Sequence, residues 1–217
     1  MNQINPRSAR RPASLARLYC WAPLVEIAPS VCHNQLDMSV SLWTLGHSTR
    51  PIDEFIGLLR AHQISLLVDV RTVPRSRYNP QFNRDTLAQS LRDAGLQYRH
   101  LPELGGLRKP KKDSLNDGWR NASFRGYADY MQTDEFQRAL EELMAYGTGT
   151  RTAIMCAEAV PWRCHRSLIA DALVSRGWDV RHIMSPEKAT PHVLTSFAHF
   201  EKSTLTYPKP ADHPSLL

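Results

Sequence analysis

The sequence predicts an α/β protein: a three-layer, open, mostly parallel sheet of about five strands with helices on both faces. Three observations lead there. Apolar runs of strand length alternate with amphipathic segments of helix length five times. One run, "ISLLVDV" at 64–70, is almost continuously apolar, as a strand buried on both faces must be. The chain has 217 residues, of which 42% are hydrophobic, enough for one domain-sized core.

The elements follow in order. "SLWTL" (41–45) reads as a strand that ends at Gly46. Pro51 suits the start of a helix whose apolar stripe is Ile52, Phe55, Ile56, Leu58 and Leu59. After the 64–70 strand, Asn83 is placed to cap a helix carrying Leu87 and Leu91, closed by Gly95. "LQYRHL" (96–101) is the third strand. The polar stretch 102–123 exceeds an ordinary connection, and such loops are often lids or mobile segments. Two helices follow, over "FRGYADYM" and over "TDEFQRALEELMAYG" with Thr133 as N-cap. "RTAIMC" (151–156) is the fourth strand, "CHRSLIADALVSRG" a helix finished by Gly177, and "WDVRHI" (178–183) the fifth strand. A short helix is expected near residues 193–200.

Residues 1–37 lack a sustained period and are broken by Pro6, Pro12, Pro23 and Pro29, so they read as a disordered or irregular tail. One reading places the true start at Met38. The expected layout is then a single domain over 38–200 and a C-terminal tail over 201–217. The N-terminal stretch only faintly resembles a signal peptide, since Glu26 and two prolines interrupt its apolar part. No run approaches the ~20 apolar residues of a membrane span. A cytoplasmic protein is expected, with Cys20, Cys32, Cys156 and Cys164 as thiols. The net charge of +6 favours anionic partners, either a small molecule or nucleic acid.

In an open parallel sheet, ligands bind beyond the carboxyl ends of the strands. The first strand leads into His47 and Ser48. The second ends at Asp69 and Arg71, followed by Arg75, Ser76 and Arg77. The third leads to Tyr98, His100, Gly105 and Gly106. The fourth ends at Cys156 and Glu158, then Cys164, His165 and Arg166 open a helix. Four strand ends thus deliver polar or reactive groups to one edge. Helix N-terminal amides and Arg163, His165 and Arg166 would lower a nearby thiol's pKa, which makes Cys156 a candidate nucleophile and Cys164 a second one. Glu158 is a candidate acid or base, or an arginine's partner. His165 is a candidate general base or a helix cap. Arg71, Arg77 and Arg166 can hold an anion, with Asp69 orienting one of them. The cofactor is left unknown. Cys156, Cys164 and His165, with His47 or His100, could hold a metal, but C-x7-C-H is not a zinc-knuckle spacing and no metal ligand is assigned.

"TLGHS", "DVRTVPRSRYNPQF", "YRHLPELGG", "FRGYADYM" and "CAEAVPWRCHRS", in this order, closely resemble domain-of-unknown-function family 488 over about residues 42–185. The resemblance supports the strand-end residues as a site without implying a reaction. "VDVR", then strand, cysteine, loop, "RS" and helix, is more faintly similar to the plan of rhodanese-type domains, which implies a Rossmann-like α/β fold and hints at thiol chemistry. Here the Cys156–Arg166 stretch is longer than the rhodanese loop, and Cys164 and His165 are extra. Three functions remain open: an enzyme using a cysteine thiolate on a phosphorylated or nucleotide-like anion, a nucleic-acid binding or modifying protein, and a small-anion binding module with structural cysteines.

Overall fold

In the computed structural model, which describes residues 40–202 and 204–209, each of the five apolar runs forms a parallel strand of one sheet. These are β1 (Ser41–Gly46), β2 (Leu66–Asp69), β3 (Gln97–His100), β4 (Thr152–Cys156) and β5 (Asp179–Ile183). A short sixth strand, β6 (Ala189–Pro191), adds to β5 in the antiparallel sense, giving the order β3-β2-β4-β1-β5-β6. Between the strands run α1 (Ile52–Ala61), α2 (Arg84–Asp93), α3 (Ala122–Tyr130), α4 (Asp134–Gly149) and α5 (Arg166–Val174).

The two-residue period of the strands sorts the core into two halves. Trp43, Leu45, Leu67, Ala153 and Met155 face α1 and α2, where Phe55, Leu59, Leu87 and Leu91 are buried. Leu42, Leu66, Val68, Ile154 and Val180 face the opposite way, onto α3, α4 and α5. Both faces of β4 are therefore covered, which is why "TAIMC" shows no polar alternation. Thr133 caps α4 by accepting from the Phe136 amide at 3.3 Å. Gly95 and Gly177 close α2 and α5 with φ of +76° and +83°, a backbone that side-chain-bearing residues rarely adopt. Asn83 stands at the N-cap of α2, but its side chain instead accepts the Ser76 amide, at 2.7 Å.

Three expectations are corrected. The helix expected near 193–200 does not form; an irregular segment there leads to the hairpin β7 (His199–Glu201) and β8 (Thr204–Thr206). The domain does not stop at 200: Leu205 and Tyr207 are core residues, and the Tyr207 hydroxyl donates to Asp171 at 2.9 Å. The 102–123 loop is stapled onto the fold rather than loosely attached. Buried Asp129 of α3 accepts from the Lys111 amide (2.8 Å), the Ser114 hydroxyl (2.5 Å) and Asn116 Nδ2 (2.8 Å). Tyr127 and Tyr130 are likewise core, each donating to a carbonyl of the 103–104 turn. The N-terminal tail, Cys20 and Cys32 lie outside the described residues. Among the described residues no helix is long and apolar enough to cross a membrane.

Candidate active site

The strand order makes β2, β4 and β1 consecutive, so their carboxyl ends lie side by side. Backbone bonds continue past the strands and fix the loops. The His47 amide donates to the Cys156 carbonyl at 3.0 Å, and the Ser48 amide to that of Ala157 at 2.9 Å. Gly46 pairs with Cys156 in register. A Cβ on Gly46 would collide with the Glu158 carbonyl oxygen and stand 2.8 Å from Arg166 Nη1, so the loop can lie over β1 only because residue 46 is glycine.

Arg166, in the first turn of α5, is 1% exposed. Its Nη1 donates to the Cys156 sulfur at 2.6 Å and to the Glu158 carbonyl at 2.6 Å, and its Nη2 donates to the Ala159 carbonyl at 2.9 Å. No carboxylate of the described residues ion-pairs with it. A guanidinium cannot shed its proton, and an uncompensated buried charge is costly. The acidic group it touches is the Cys156 thiol. Burial by itself raises that thiol's pKa, but the Cys164 thiol donating to it and the charge and hydrogen bond of Arg166 outweigh burial and bring it down to about 7. Cys164 moves the other way: burial and the adjacent Cys156 sulfur hold it well above the ordinary thiol value. Cys156 is thus the more acidic sulfur and Cys164 the one that holds its proton. The sulfur is served by a guanidinium and a thiol, not by a cradle of loop amides. The intervening loop offers its carbonyls inward, to Arg166 and to the turn after β1.

At the end of β2, Asp69 and Arg71 form a buried two-point ion pair. Nε donates to Oδ1 at 2.8 Å and Nη2 to Oδ2 at 2.6 Å. The Tyr98 hydroxyl also donates to Asp69 Oδ2, at 2.9 Å. Arg71 Nη2 further donates to the Phe82 carbonyl, and Nη1 to His47 Nε2 at 3.2 Å. His47 donates its Nδ1 proton to the Ser48 carbonyl at 2.7 Å and stacks on Phe82 at 4.2 Å. It is therefore the neutral tautomer, its pKa lowered to about 4 by burial and by Arg71. On the thiol side, His165 Nε2 faces the Val70 carbonyl at 3.3 Å and Nδ1 faces the Cys164 sulfur at 3.5 Å. Burial, with Arg166 and Arg108, lowers its pKa to about 4 as well.

Two cavities open on these groups. One, of about 300 Å³, is lined by Cys156, Cys164, His165, Gly106, Thr72 and Leu107. The other, of about 400 Å³, is lined by His47, Ser48, Arg75, Ser76, Asn79 and Ala159. They share Arg71, Val73, Ala157 and Glu158 as a common wall. The first is mostly apolar with a sulfur at its base. The second is rich in hydroxyl and guanidinium groups. Ser48 and Leu107, one on each cavity, hold positive φ of 50° and 61°, a strained backbone for non-glycine residues.

The family model described as Domain of unknown function DUF488 matches residues 51–173, more than half of the chain. The chain belongs to the DUF488 family. The matched stretch runs from the start of α1 into α5 and contains both cysteines, Asp69, Arg71 and Arg166. No curated protein and no solved structure matches the chain.

The DUF488 fold brings together most of the predicted strand-end residues. Cys156, Glu158, Cys164, His165, Arg71 and Gly106 meet at the thiol cavity, and His47, Ser48 and Ser76 at its neighbour. Asp69 stands behind Arg71 as its orienting partner. Gly105 packs its backbone on Thr72. Glu158 is exposed on the shared wall. Arg77 is exposed and lines neither cavity; Arg75, two residues earlier, takes that place. Arg166 is occupied by the sulfur and the loop carbonyls rather than free to hold a substrate. His165 is too weak a base to be half-protonated near neutral pH. Among the described residues no group of three or more His, Cys, Asp or Glu is arranged to hold a metal ion.

Burial also lowers the pKa of His182, in β5, to about 4. His47, His165 and His182 thus ionise at about 4 in the fold against 6.5 unfolded. Between these values the unfolded chain binds more protons, so stability rises with pH there. Urea unfolding should give a free energy that declines steeply as pH falls from about 6.5 toward 4. A stability unchanged down to pH 4 would contradict the burial of these rings as neutral bases.

Proposed function

We propose that this protein is an enzyme whose Cys156 thiolate attacks a small anionic molecule, with sulfur transfer or hydrolysis of a phosphorylated or nucleotide-like substrate as the reaction classes. The observation that supports this most is the buried Arg166 guanidinium, whose anionic partner is the Cys156 sulfur at the base of an open cavity. Cys156 is the nucleophile. Glu158, on the wall between the cavities, delivers or takes the proton of the leaving or attacking group. Arg75, Ser48 and Ser76 receive the anion in the neighbouring cavity, with the charge of Arg71 in its wall. Cavities of about 300 and 400 Å³ suit a small molecule. The nucleic-acid alternative has in its favour the net charge of +6, the basic N-terminal stretch and Lys109, Lys111 and Lys112. A reducing compartment such as the cytoplasm would keep both sulfurs as thiols.

The test is turnover, and covalent mass shift, with p-nitrophenyl phosphate and with thiosulfate as separate probes. An adduct on Cys156 that is absent from Cys156→Ser is expected with one of them. Arg75→Ala should raise KM about three- to tenfold with kcat little changed, since an exposed arginine contributes less than a buried charged hydrogen bond. Activity retained in Cys156→Ser would refute the reading.

A further inference from the structure

Cys156 and Cys164 line the same cavity, and both are free thiols. They are brought together because the loop after β4 folds back through a short 3-10 turn, Pro161–Arg163, before α5 begins. The turn is held by the Cys164 amide donating to the Pro161 carbonyl at 3.0 Å. The two residues are only 2% and 4% exposed, so the cavity admits a small electrophile to the sulfurs and excludes a bulky one. Nucleophilic attack as proposed above uses Cys156 alone and assigns Cys164 no part. Yet Cys164 stands on the cavity wall with Cys156 and has a ring nitrogen, His165 Nδ1, 3.5 Å from its own sulfur. That ring's other nitrogen is turned to the Val70 carbonyl, so Nδ1 is the acceptor. Two free thiols on one cavity wall are the arrangement of a reactive sulfur and its resolving partner.

We propose that hydroperoxides convert this site to a Cys156–Cys164 disulfide, with Cys156 as the peroxide-reactive sulfur and Cys164 as the resolving one. The inference rests on the thiolate reading of Cys156. In the first step the Cys156 thiolate attacks the peroxide oxygen: an S–O bond forms, the O–O bond breaks, and the alkoxide leaves and is protonated to the alcohol. The sulfur loses two electrons and the peroxide gains them, leaving a sulfenic acid. In the second step Cys164 attacks the Cys156 sulfur. The S–S bond forms, the S–O bond breaks, and hydroxide departs as water with the Cys164 proton. Two thiols and one hydroperoxide thus give a disulfide, an alcohol and one water. An external dithiol returns the site to its reduced form. Oxidation removes the nucleophile, so the disulfide form is inactive and recoverable, and Cys156 is spared from irreversible overoxidation.

The test treats the reduced full-length chain with one equivalent of hydrogen peroxide, followed by iodoacetamide alkylation and peptide mapping. Loss of both Cys156 and Cys164 from the alkylated pool, their peptides joined and separated again by dithiothreitol, is expected. In Cys164→Ser the same treatment should leave a dimedone-reactive sulfenic acid on Cys156. Wild-type protein in which Cys156 stops at sulfenic or sulfinic acid while Cys164 remains alkylatable would overturn the proposal. The wild-type map decides alone if the variant does not fold. Iodoacetamide on the untreated protein separates the two failures. Rapid labelling of Cys156 at neutral pH without disulfide formation sinks only this inference, and slow labelling sinks the thiolate reading with it.

Discussion

Replacing Arg166 with methionine slows alkylation of Cys156 about fifty-fold at neutral pH. The thiolate is the reactive form. With the Cys156 pKa at about 7, half the sulfur is ionised at pH 7; returned to the reference value of 9.0, about 1% is. Burial of the sulfur, which raises the pKa, and the Cys164 thiol, which lowers it, both survive the substitution, and the fifty-fold figure takes the two as offsetting. The variant also leaves the Glu158 and Ala159 carbonyls without their donor. Removing one member of a buried charged pair costs about 3–5 kcal/mol, so the melting temperature should fall too. Arg166→Lys separates the two effects: it keeps the charge and should recover much of the reactivity without restoring both carbonyl contacts. Alkylation as fast in Arg166→Met as in wild type would show that the guanidinium does not govern the sulfur.

Asp171→Ala is the substitution expected to damage the fold most. Asp171 lies fully buried in α5 and accepts four hydrogen bonds. They come from His192 Nε2 (2.7 Å), the Thr195 amide (3.0 Å), the Thr195 hydroxyl (2.7 Å) and the Tyr207 hydroxyl (2.9 Å). Behind His192 the chain continues: His182 Nε2 meets His192 Nδ1 at 2.9 Å, and Thr44 meets His182 Nδ1 at 2.7 Å. With a carboxylate acceptor at one end, His192 Nε2 donates to Asp171 and the Thr44–His182–His192 contacts continue the chain behind it, so the direction of the bonds is set by Asp171. Alanine leaves these buried donors without an acceptor, at about 1–3 kcal/mol for each unsatisfied group. The segment from β6 through Tyr207 is fastened to α5 largely through this carboxylate. Four donors at that cost each make the expected loss in urea unfolding about 4 kcal/mol or more, with proteolysis entering first between 192 and 207. A loss below about 1 kcal/mol would mean that water replaces the network at little cost.

The sheet and the edge where the site lies were legible because both depend on local pattern. Five apolar runs separated by 3.6-period stripes specify parallel strands, and parallel strands put their loops at one edge. The role of Asp69 as a partner of the "DVR" arginine was legible for the same reason, since two residues on one extended strand end share a face. The partner of Arg166 was not. Nine residues of loop and 3-10 turn separate it from Cys156, and no periodicity says where an irregular loop turns. Read as a substrate anchor, Arg166 proved to be the sulfur's counterion, while Arg75 replaced Arg77 because the 74–79 turn, held by Asn83 and Ser76, carries Arg77 outward. Strands of three residues such as β6, β7 and β8 carry too little alternation to be seen. Asp129 and Asp171 look like ordinary polar positions of helices and reveal their roles only once the loops that donate to them are in place.

The central claim is that Cys156 is ionised near neutral pH because it balances a buried guanidinium. The most direct measurement is the iodoacetamide rate at Cys156 as a function of pH, followed by peptide mass with Cys156→Ser as the blank. The structure predicts an inflection at about 7, carried by Cys156 and not by Cys164. An inflection near 9, or labelling that falls on Cys164 instead, would contradict it.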